Sequence, residues 1–262
     1  MENSKKYSVV VIGSGNVAEA VALAVAECDG VELREVVARN RERGEAIAAM
    51  CATAWQGDFA QAAEADLYII AVSDRAVAEV AAAVRRAEGS TVVHTAGSVE
   101  CSVLGEGSCG VLYPFQTFTA GRRVDFSQVP LFVEGSDEAT TQKILHIAHL
   151  LSRRVYRADS SQRREVHLTG VLACNFVNAL YAMAADRLRE YADLPFDVLR
   201  PLIEQTAHKA IASEHPREVQ TGPAVRGDFS VAERHTAMLQ GELQKDIYKL
   251  LTQYIWQTSK KI

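Results

Sequence analysis

Short apolar runs alternate with helical patterns along the first part of the chain. Residues 8–12 have the pattern of a buried strand, since four of the five side chains are branched and apolar, and residues 18–26 follow with a helical pattern rich in small side chains. Further strand and helix patterns then alternate at residues 31–38, 41–50, 66–72, 76–87 and 91–94. Strands separated by helices and short connections predict a parallel sheet that is covered on both faces.

Weaker and later patterns extend this sheet. Residues 51–55 are predicted as a short strand and residues 58–64 as one or two helical turns. Two apolar strands, a helix and a closing strand follow at residues 110–118, 129–134, 137–151 and 154–156. We therefore expect the first domain, residues 1–159, to end near Asp159.

The pattern changes after residue 160, where no further strand is predicted. Helical patterns, interrupted by one long loop at residues 214–228, occupy residues 161–191, 196–213, 231–239 and 243–256. Pro195 separates the first two of these helices. The sequence therefore predicts an α/β protein in which a parallel-sheet domain is followed by an all-helical domain, residues 160–262.

Two glycines, one residue apart, connect the first predicted strand to the first helix. Residues 13–18 read Gly-Ser-Gly-Asn-Val-Ala, which is the G-x-G-x-x-A form of the dinucleotide-binding turn in a Rossmann-like domain. Gly13 permits the tight turn, Gly15 leaves room for a pyrophosphate, and Ala18 lets the helix pack closely on the strand. Asn16 is expected to cap the helix, whose free N–H groups attract phosphate.

This turn is the predicted binding site for the pyrophosphate of a dinucleotide. The predicted contacts are Gly13, Ser14, Gly15, Asn16 and Val17. A glycine turn that arose by chance is the alternative. The context favours the binding site, because the turn lies between a strand and a helix and a second strand follows at the expected distance.

Basic and amide side chains follow the second predicted strand. An NAD-selective site carries Asp or Glu there to bind the ribose 2′-hydroxyl, whereas this chain carries Arg39 and Asn40, followed by Arg41 and Arg43. Guanidinium groups bind a 2′-phosphate through charge-assisted hydrogen bonds. The sequence therefore favours NADP(H), with Arg39 and Asn40 as contacts. The alternative is a solvated, charged start to the next helix.

The ends of two other predicted strands should also lie beside the cofactor. Val72 and Ser73 follow one strand, and Thr95 and Ala96 follow the next. Ligands of parallel α/β sheets bind beyond the carboxyl ends of the strands. These four residues are therefore predicted cofactor contacts.

Two polar residues around the second of these turns are candidates for catalysis. His94 ends the strand on the side expected to face the nicotinamide, and a histidine exchanges protons near neutral pH. The alternative is a buried histidine whose ring hydrogen-bonds to the backbone. The Ser98 hydroxyl and the N–H groups of residues 95–98 suit a substrate carboxylate or carbonyl, unless the turn is a plain loop.

The helical half carries further polar candidates. His167 and Asn175 are eight residues apart, so they lie on one face of an otherwise apolar helix and are predicted to face a cleft. The alternative for this pair is hydrogen bonding between helices. Arg226 suits bidentate binding of a substrate carboxylate, or an ion pair with Asp228 that fixes the loop.

Composition narrows the partners and the location. The net charge of −5 gives no general attraction to nucleic acid or to an anionic membrane, and no uninterrupted apolar run reaches about 18 residues, so no membrane span is predicted. The first six residues lack the apolar segment of a signal peptide. The five cysteines form no C-x-x-C pair, which favours reduced thiols in the cytoplasm and no metal site.

Several motifs together resemble a known group of proteins. They are the glycine turn at residues 13–18, His-Thr-Ala-Gly-Ser at 94–98, Tyr-Pro-Phe-Gln-Thr-Phe at 113–118 and Thr-Gly-Pro-Ala-Val-Arg-Gly-Asp at 221–228. The chain resembles the pyrroline-5-carboxylate reductase and 6-phosphogluconate dehydrogenase-like superfamily, and more closely the Rossmann-like plus DUF2520 family of NADP oxidoreductases. The resemblance covers essentially the whole chain. It implies a small-molecule substrate and a homodimer formed through the helical domain.

One catalytic residue of that superfamily is absent. In its β-hydroxyacid dehydrogenases a lysine precedes a second-domain asparagine by four residues, and if Asn175 is that asparagine, Val171 stands in place of the lysine. Two functions are therefore open: an NADP-dependent oxidoreductase acting on a small carbonyl or imine, or a non-catalytic NADP(H)-binding sensor or assembly protein. The missing lysine favours the second, whereas the histidines and the polar helix face favour the first.

Overall fold

The structure is a computed structural model that describes residues 6–259. Its centre is an eight-stranded sheet with the order β3-β2-β1-β4-β5-β6-β7-β8. The strands are β1 (Tyr7–Ile12), β2 (Val31–Val37), β3 (Ala54–Gln56), β4 (Leu67–Ile70), β5 (Thr91–His94), β6 (Cys109–Pro114), β7 (Leu131–Gly135) and β8 (Val155–Arg157). Neighbouring strands pair in parallel, except that β6 and β7 are antiparallel.

Helices connect these strands and make up the rest of the chain. They are α1 (Asn16–Ala26), α2 (Arg41–Met50), α3 (Val77–Ala83), α4 (Glu138–Leu151), α5 (Ser160–Gly170), α6 (Phe176–Tyr191), α7 (Arg200–Ala212), α8 (Pro223–Arg226), α9 (Phe229–Met238) and α10 (Glu242–Ser259). A π-helical segment, Val171–Asn175, joins α5 to α6. The predicted order, a Rossmann-like α/β domain followed by a helical part, is confirmed.

The alternation of side chains along β1 builds two apolar cores, one on each face of the sheet. Val9 and Val11 belong to one cluster, and Val10 and Ile12 belong to the other, because successive side chains of a strand point to opposite faces. All four side chains are fully buried. The turn that follows β1 is therefore held on a rigid support.

One predicted strand is shorter than expected, and its neighbour runs in the opposite direction. The strand predicted at residues 110–118 ends at Pro114, which has no N–H to continue the ladder. Residues 115–130 then return to the sheet without a crossover helix. Parallel neighbours are usually joined by a crossover helix, and β7 here pairs with β6 antiparallel.

Two predicted helical segments are also shorter in the structure. The helix predicted at residues 76–87 is α3, which ends because Val84 is extended, and the N–H of Ala87 donates to the Tyr68 hydroxyl at 3.2 Å instead. Residues 58–64 contain a single 3₁₀ turn, Phe59–Gln61. In both places a tertiary or side-chain contact replaces the hydrogen bonds of a longer helix.

By contacts, the chain divides into two compact units, Met1–Ala179 and Leu180–Ile262. Helix α5 and the π-helical segment therefore belong to the first unit, although the helical composition begins at residue 160. The domain boundary after Asp159 stays a prediction. Among the described residues of the second unit, Leu239 is the one that is buried.

One helical stretch meets the length and composition of a membrane span. Ser160–Tyr191 has a window of mean hydropathy 1.5, none of which is buried. The sequence prediction considered uninterrupted apolar runs, whereas a window average tolerates the polar residues that interrupt this stretch. One helix of this length and composition is by itself weak evidence for a span.

Candidate cofactor and substrate site

The glycine turn after β1 has the geometry that the sequence predicts. Gly13 has a φ of +135°, and a Cβ built there would overlap the carbonyl oxygen of Ala71, so glycine is required. A Cβ on Gly15 would meet no atom within 4 Å. Asn16 differs from the prediction: Gly15 occupies the N-cap position, and the Asn16 amide donates to the carbonyl of Phe118 at 3.1 Å.

A cavity of about 540 Å³, which we call the cofactor cavity, opens at this turn. It is lined by Gly13, Ser14, Gly15, Asn16, Val17, Ala38, Arg39, Asn40, Phe59, Ala71, Val72, Ser73, Ala76, Val80, Gln116 and Phe118. Nine predicted cofactor contacts are among these residues. The cavity lies at the carboxyl edge of the sheet, because the ends of β1, β2 and β4 meet there.

Of the three arginines that follow β2, Arg39 alone lines the cofactor cavity. Its guanidinium lies 5.3 Å from the centre of the Phe59 ring and 3.2 Å from the Glu79 carboxylate. Its side chain is 62% exposed, so it is free to turn towards a ligand. Arg41 and Arg43 are also paired with acidic side chains, of α2 and α1, but do not line the cavity.

Asn40 caps a helix in addition to lining the cofactor cavity. Its side-chain oxygen accepts a hydrogen bond from the N–H of Arg43 at 3.1 Å and so caps α2. The side-chain NH₂ group remains as a donor, and the residue lines the cofactor cavity. The sequence-based assignment of Asn40 as a phosphate contact stays a prediction.

Two other predicted contacts do not line the cofactor cavity. Thr95 and Ala96 are buried, and their N–H groups donate to the Ile70 carbonyl and to the His94 ring, each at 3.1 Å. Because both donors are already satisfied within the chain, they are not presented to a ligand. Val72 and Ser73, which lie in the loop after β4, do line the cavity.

His94 is fully buried and hydrogen-bonds to the backbone, which is the alternative that the sequence left open. Its Nδ1 accepts from the N–H of Ala96, so its Nε2 donates to the carbonyl of Glu100 at 3.3 Å. Burial, followed by the charge of Arg163, lowers the pKa of His94 to about 4. The ring is therefore neutral and holds the turn together. Ser98 is exposed, and its hydroxyl donates to the Asp74 carboxylate.

The lowered pKa of His94 predicts a pH dependence of stability. His94 becomes protonated at about pH 4 in the folded protein and near pH 6.5 in the unfolded chain. Its contribution to the free energy of unfolding is therefore complete above pH 6.5 and is lost as the pH falls towards 4. Each unit of pKa difference between the folded and unfolded states corresponds to ~1.4 kcal/mol, so the free energy of unfolding falls by about 3 kcal/mol. Urea unfolding between pH 7 and 4 measures it, with His94→Asn as the variant that lacks this component. Equal slopes for the two proteins would contradict the prediction.

A second cavity of about 350 Å³, the substrate cavity, adjoins the first. It is lined by Tyr113, Phe115, Gln116, Thr117, Phe118, His167, Gly170, Val171, Cys174 and Asn175. Gln116 and Phe118 line both cavities. The predicted pair His167 and Asn175 is thus brought together in a cavity that borders the cofactor cavity.

The polar centre of the substrate cavity is a pair of side chains from β6 and α5. The Tyr113 hydroxyl lies 3.1 Å from Nδ1 of His167. Burial, followed by the charge of Asp74, raises the pKa of Tyr113 to about 12, so the hydroxyl keeps its proton throughout the physiological range. The pair can hold and deliver a proton next to a bound substrate.

A glycine fixes the position of this pair. A Cβ on Gly97 would lie 2.6 Å from Nδ1 of His167 and 2.8 Å from Cζ of Tyr113. The backbone of the 94–98 turn therefore packs directly against both side chains. The sequence patterns did not predict Tyr113 as a site residue. Its position at the carboxyl end of β6, the same edge of the sheet at which His94 ends β5, could have indicated it.

Comparisons with known proteins settle the family. Residues 8–97 match a family described as NADP oxidoreductase coenzyme F420-dependent, and residues 129–255 match a domain of unknown function, DUF2520. The crystal structure of a candidate NADP oxidoreductase, BF3122 from Bacteroides fragilis, is 38% identical over 96% of this chain and 98% of that one, with a TM-score of 0.87. The chain belongs to the Rossmann-like plus DUF2520 family of NADP oxidoreductases. The predicted family is confirmed.

Other solved structures share the fold of this DUF2520-family oxidoreductase. Imine reductase from Pseudomonas sp. is 16% identical over 95% of this chain and 93% of that one, with a TM-score of 0.64. A pyrroline-5-carboxylate reductase from Coxiella burnetii is 15% identical over 98% of both chains, with a TM-score of 0.58. These similarities show the fold. No curated protein sequence matches the chain.

NADP(H) is the cofactor of this DUF2520-family oxidoreductase, as the sequence predicted. The cofactor cavity fits it. Gly15 leaves a cradle that any side chain would fill, α1 begins there with unpaired N–H groups, and Arg39 supplies a guanidinium. Among residues 6–259, no group of three metal-ligating side chains comes together.

Arg226 belongs to the second unit of the oxidoreductase and ends α8. Asp228 accepts a hydrogen bond from the N–H of Val231 at 3.3 Å and caps α9. Within the described part of the chain the two side chains form no close ion pair. Hydrogen bonds from Ser230 and Val231 lower the pKa of Asp228, and the charge of Arg226 adds to this, so the alternative of an ionic interaction within the loop stays open. The proposed binding of a carboxylate by Arg226 stays a prediction.

Proposed function

We propose that this protein reduces a small carbonyl or imine with NADPH. The observation that carries the proposal is the Tyr113–His167 pair in a cavity that shares Gln116 and Phe118 with the cofactor cavity. A proton donor next to a nicotinamide is the arrangement that such a reduction requires.

The residues of the two cavities have different roles in this reaction. The N–H groups of the glycine turn and of α1 bind the pyrophosphate, and Arg39 binds the 2′-phosphate. When bound, NADPH supplies the hydride for the C=O or C=N carbon and is oxidised to NADP⁺. His167 delivers the proton to the oxygen or nitrogen, while the Tyr113 hydroxyl orients the imidazole ring. Asn175 hydrogen-bonds to the same substrate.

The test is the loss of NADPH absorbance with a panel of aldehydes, keto acids and cyclic imines. Turnover of any member that is lost in His167→Ala supports the proposal. NADPH binding without turnover of any member favours the alternative, a sensor or assembly protein. The five cysteines are all unpaired thiols, which supports a cytoplasmic location as part of the proposal.

Arg39→Ala is expected to weaken NADP⁺ binding without affecting NAD⁺. The variant removes the cavity guanidinium, and losing a charged hydrogen bond to phosphate costs about 1–3 kcal/mol, or roughly 5- to 150-fold in Kd. Calorimetric titration of both cofactors measures it. Arg41→Ala is the matched control, because Arg41 pairs with Glu45 at 2.9 Å outside the cavity. Equal wild-type affinities for NADP⁺ and NAD⁺ would refute the assignment.

We also propose that the protein is a homodimer whose interface is formed mainly by residues after Ser160. Leu243, Leu250 and Tyr254 share one face of α10, and each is more than 60% exposed. Apolar side chains concentrated in this way mark an interaction surface.

Light scattering at micromolar concentration is expected to give twice the mass of one chain. Leu250→Glu places a charge on the apolar face of α10 while keeping a good helix former, so it should shift the mass towards that of one chain. Gln253→Glu, at an exposed polar position of the same helix, is the control for the same change of charge. A wild-type monomer would remove the dimer from the proposal.

A further inference from the structure

We propose that the substrate carries no carboxylate, and that it is a neutral carbonyl compound or a neutral imine, which His167 protonates to the iminium ion, with an apolar body. This inference rests on the proposed function, because it names the class of compound reduced at the same site. The side chains that would face the body of the substrate are those that line the substrate cavity.

The lining contains no permanently charged side chain among the residues described. Its polar groups are the Tyr113–His167 pair, two amides, a threonine and Cys174. A carboxylate buried against such a lining would lack a cationic partner, and an unpaired charge is expensive to remove from water.

The arginines nearest along the helix do not change this charge balance. Arg163 is fully buried, pairs with Glu134 and donates to the carbonyl of Val99. Arg164 pairs with Glu100. Neither arginine lines the substrate cavity, and both are already matched by an acidic side chain. Arg226, the predicted carboxylate ligand, is also not among the residues that line this cavity, so the inference departs from that prediction.

One wall of the cavity is aromatic. The rings of Tyr113 and Phe115 meet edge to face with their centres 6.1 Å apart, and Phe115 packs against Phe132 at 6.0 Å. Phe118 lines the cavity on the side that it shares with the cofactor. Aromatic faces favour apolar groups and cations and disfavour anions, because their quadrupole is negative at the face. Three aromatic side chains and no permanently cationic side chain in the described lining therefore suit the iminium form of an imine better than a carboxylate.

A matched pair of cyclic imines tests the inference. 2-Methyl-1-pyrroline and 1-pyrroline-2-carboxylate share the ring and the C=N bond and differ in a methyl or a carboxylate group on the imine carbon. We expect kcat/KM with NADPH to be higher for the methyl compound, on the order of tenfold or more. The reverse preference would overturn the inference. If Arg226→Ala then abolished that reverse preference, the carboxylate would be assigned to Arg226.

A variant and a binding measurement keep the test decisive. Val171→Arg adds a cation to the cavity lining and should shift the preference towards the carboxylate imine; a folded variant with no shift would count against the inference. If neither imine is reduced, saturation-transfer NMR with NADP⁺-loaded protein compares the products, 2-methylpyrrolidine and proline. Binding of 2-methylpyrrolidine alone would support the inference and count against the reduction of cyclic imines. Tighter binding of proline would overturn the inference. So would the failure of both amines to bind.

Discussion

Gly15→Val is expected to abolish NADP(H) binding while leaving the free energy of unfolding close to that of the wild type. A Cβ at this position meets no atom within 4 Å, and the backbone has an ordinary extended conformation with φ of −81°. The branched side chain would instead occupy the cradle at the start of α1, where the pyrophosphate is expected. Calorimetric titration gives the affinity and urea unfolding gives the stability.

Gly13→Ala is the matched control for this prediction. Gly13 has a φ of +135°, and an added Cβ would overlap the carbonyl of Ala71, the residue after β4. The expected result is therefore the opposite, a loss of folding stability of several kcal/mol, since an overpacked core and a strained φ both add to the cost. If Gly15→Val bound NADPH with unchanged affinity, the cofactor would not lie at this turn.

His167→Ala is expected to lower kcat by about 10²- to 10⁴-fold, the usual contribution of a general acid, with an unchanged Kd for NADPH. His167 lines the substrate cavity and is absent from the lining of the cofactor cavity. Stopped-flow reduction of a confirmed substrate gives the rate, and fluorescence titration gives the affinity. His149→Ala, an exposed histidine of α4 in the same unit, is the control for removing a histidine.

Tyr113→Phe separates the two members of the pair. It removes the hydroxyl that lies 3.1 Å from His167 and keeps the ring. We expect a smaller fall in kcat than for His167→Ala, because the imidazole can still deliver a proton but has lost its orienting partner. A rate for His167→Ala within twofold of the wild type would show that the proton comes from elsewhere.

Local patterns were sufficient to predict the first half of the fold. The branched apolar residues of β1, the paired glycines and the small side chains of α1 all indicate one βαβ unit, and that unit forms. Such patterns could not predict the direction of β7. A short apolar strand has the same sequence pattern in parallel and antiparallel pairs, and the connection through residues 115–130 decides between them.

The candidate site was predictable where one element supplies the geometry, and less so where two elements meet. The glycine turn lies within one βα unit, and the His167–Asn175 face lies along one helical stretch. The hydrogen bond between Tyr113 and His167 joins residues 54 apart, so no local spacing indicates it. His94 shows the converse limit, because a histidine at a strand end can turn inward as readily as towards a ligand.

The place of β1 in the sheet has a consequence for hydrogen exchange. β1 lies between β2 and β4, and β4 lies between β1 and β5, so each is paired on both sides. Amides of such strands exchange only when much of the domain opens, whereas loops such as residues 115–130 exchange through small local openings. The glycine turn is thus attached to the part of the chain that opens last. Deuterium uptake should therefore leave the support of the cofactor cavity protected long after its rim has exchanged.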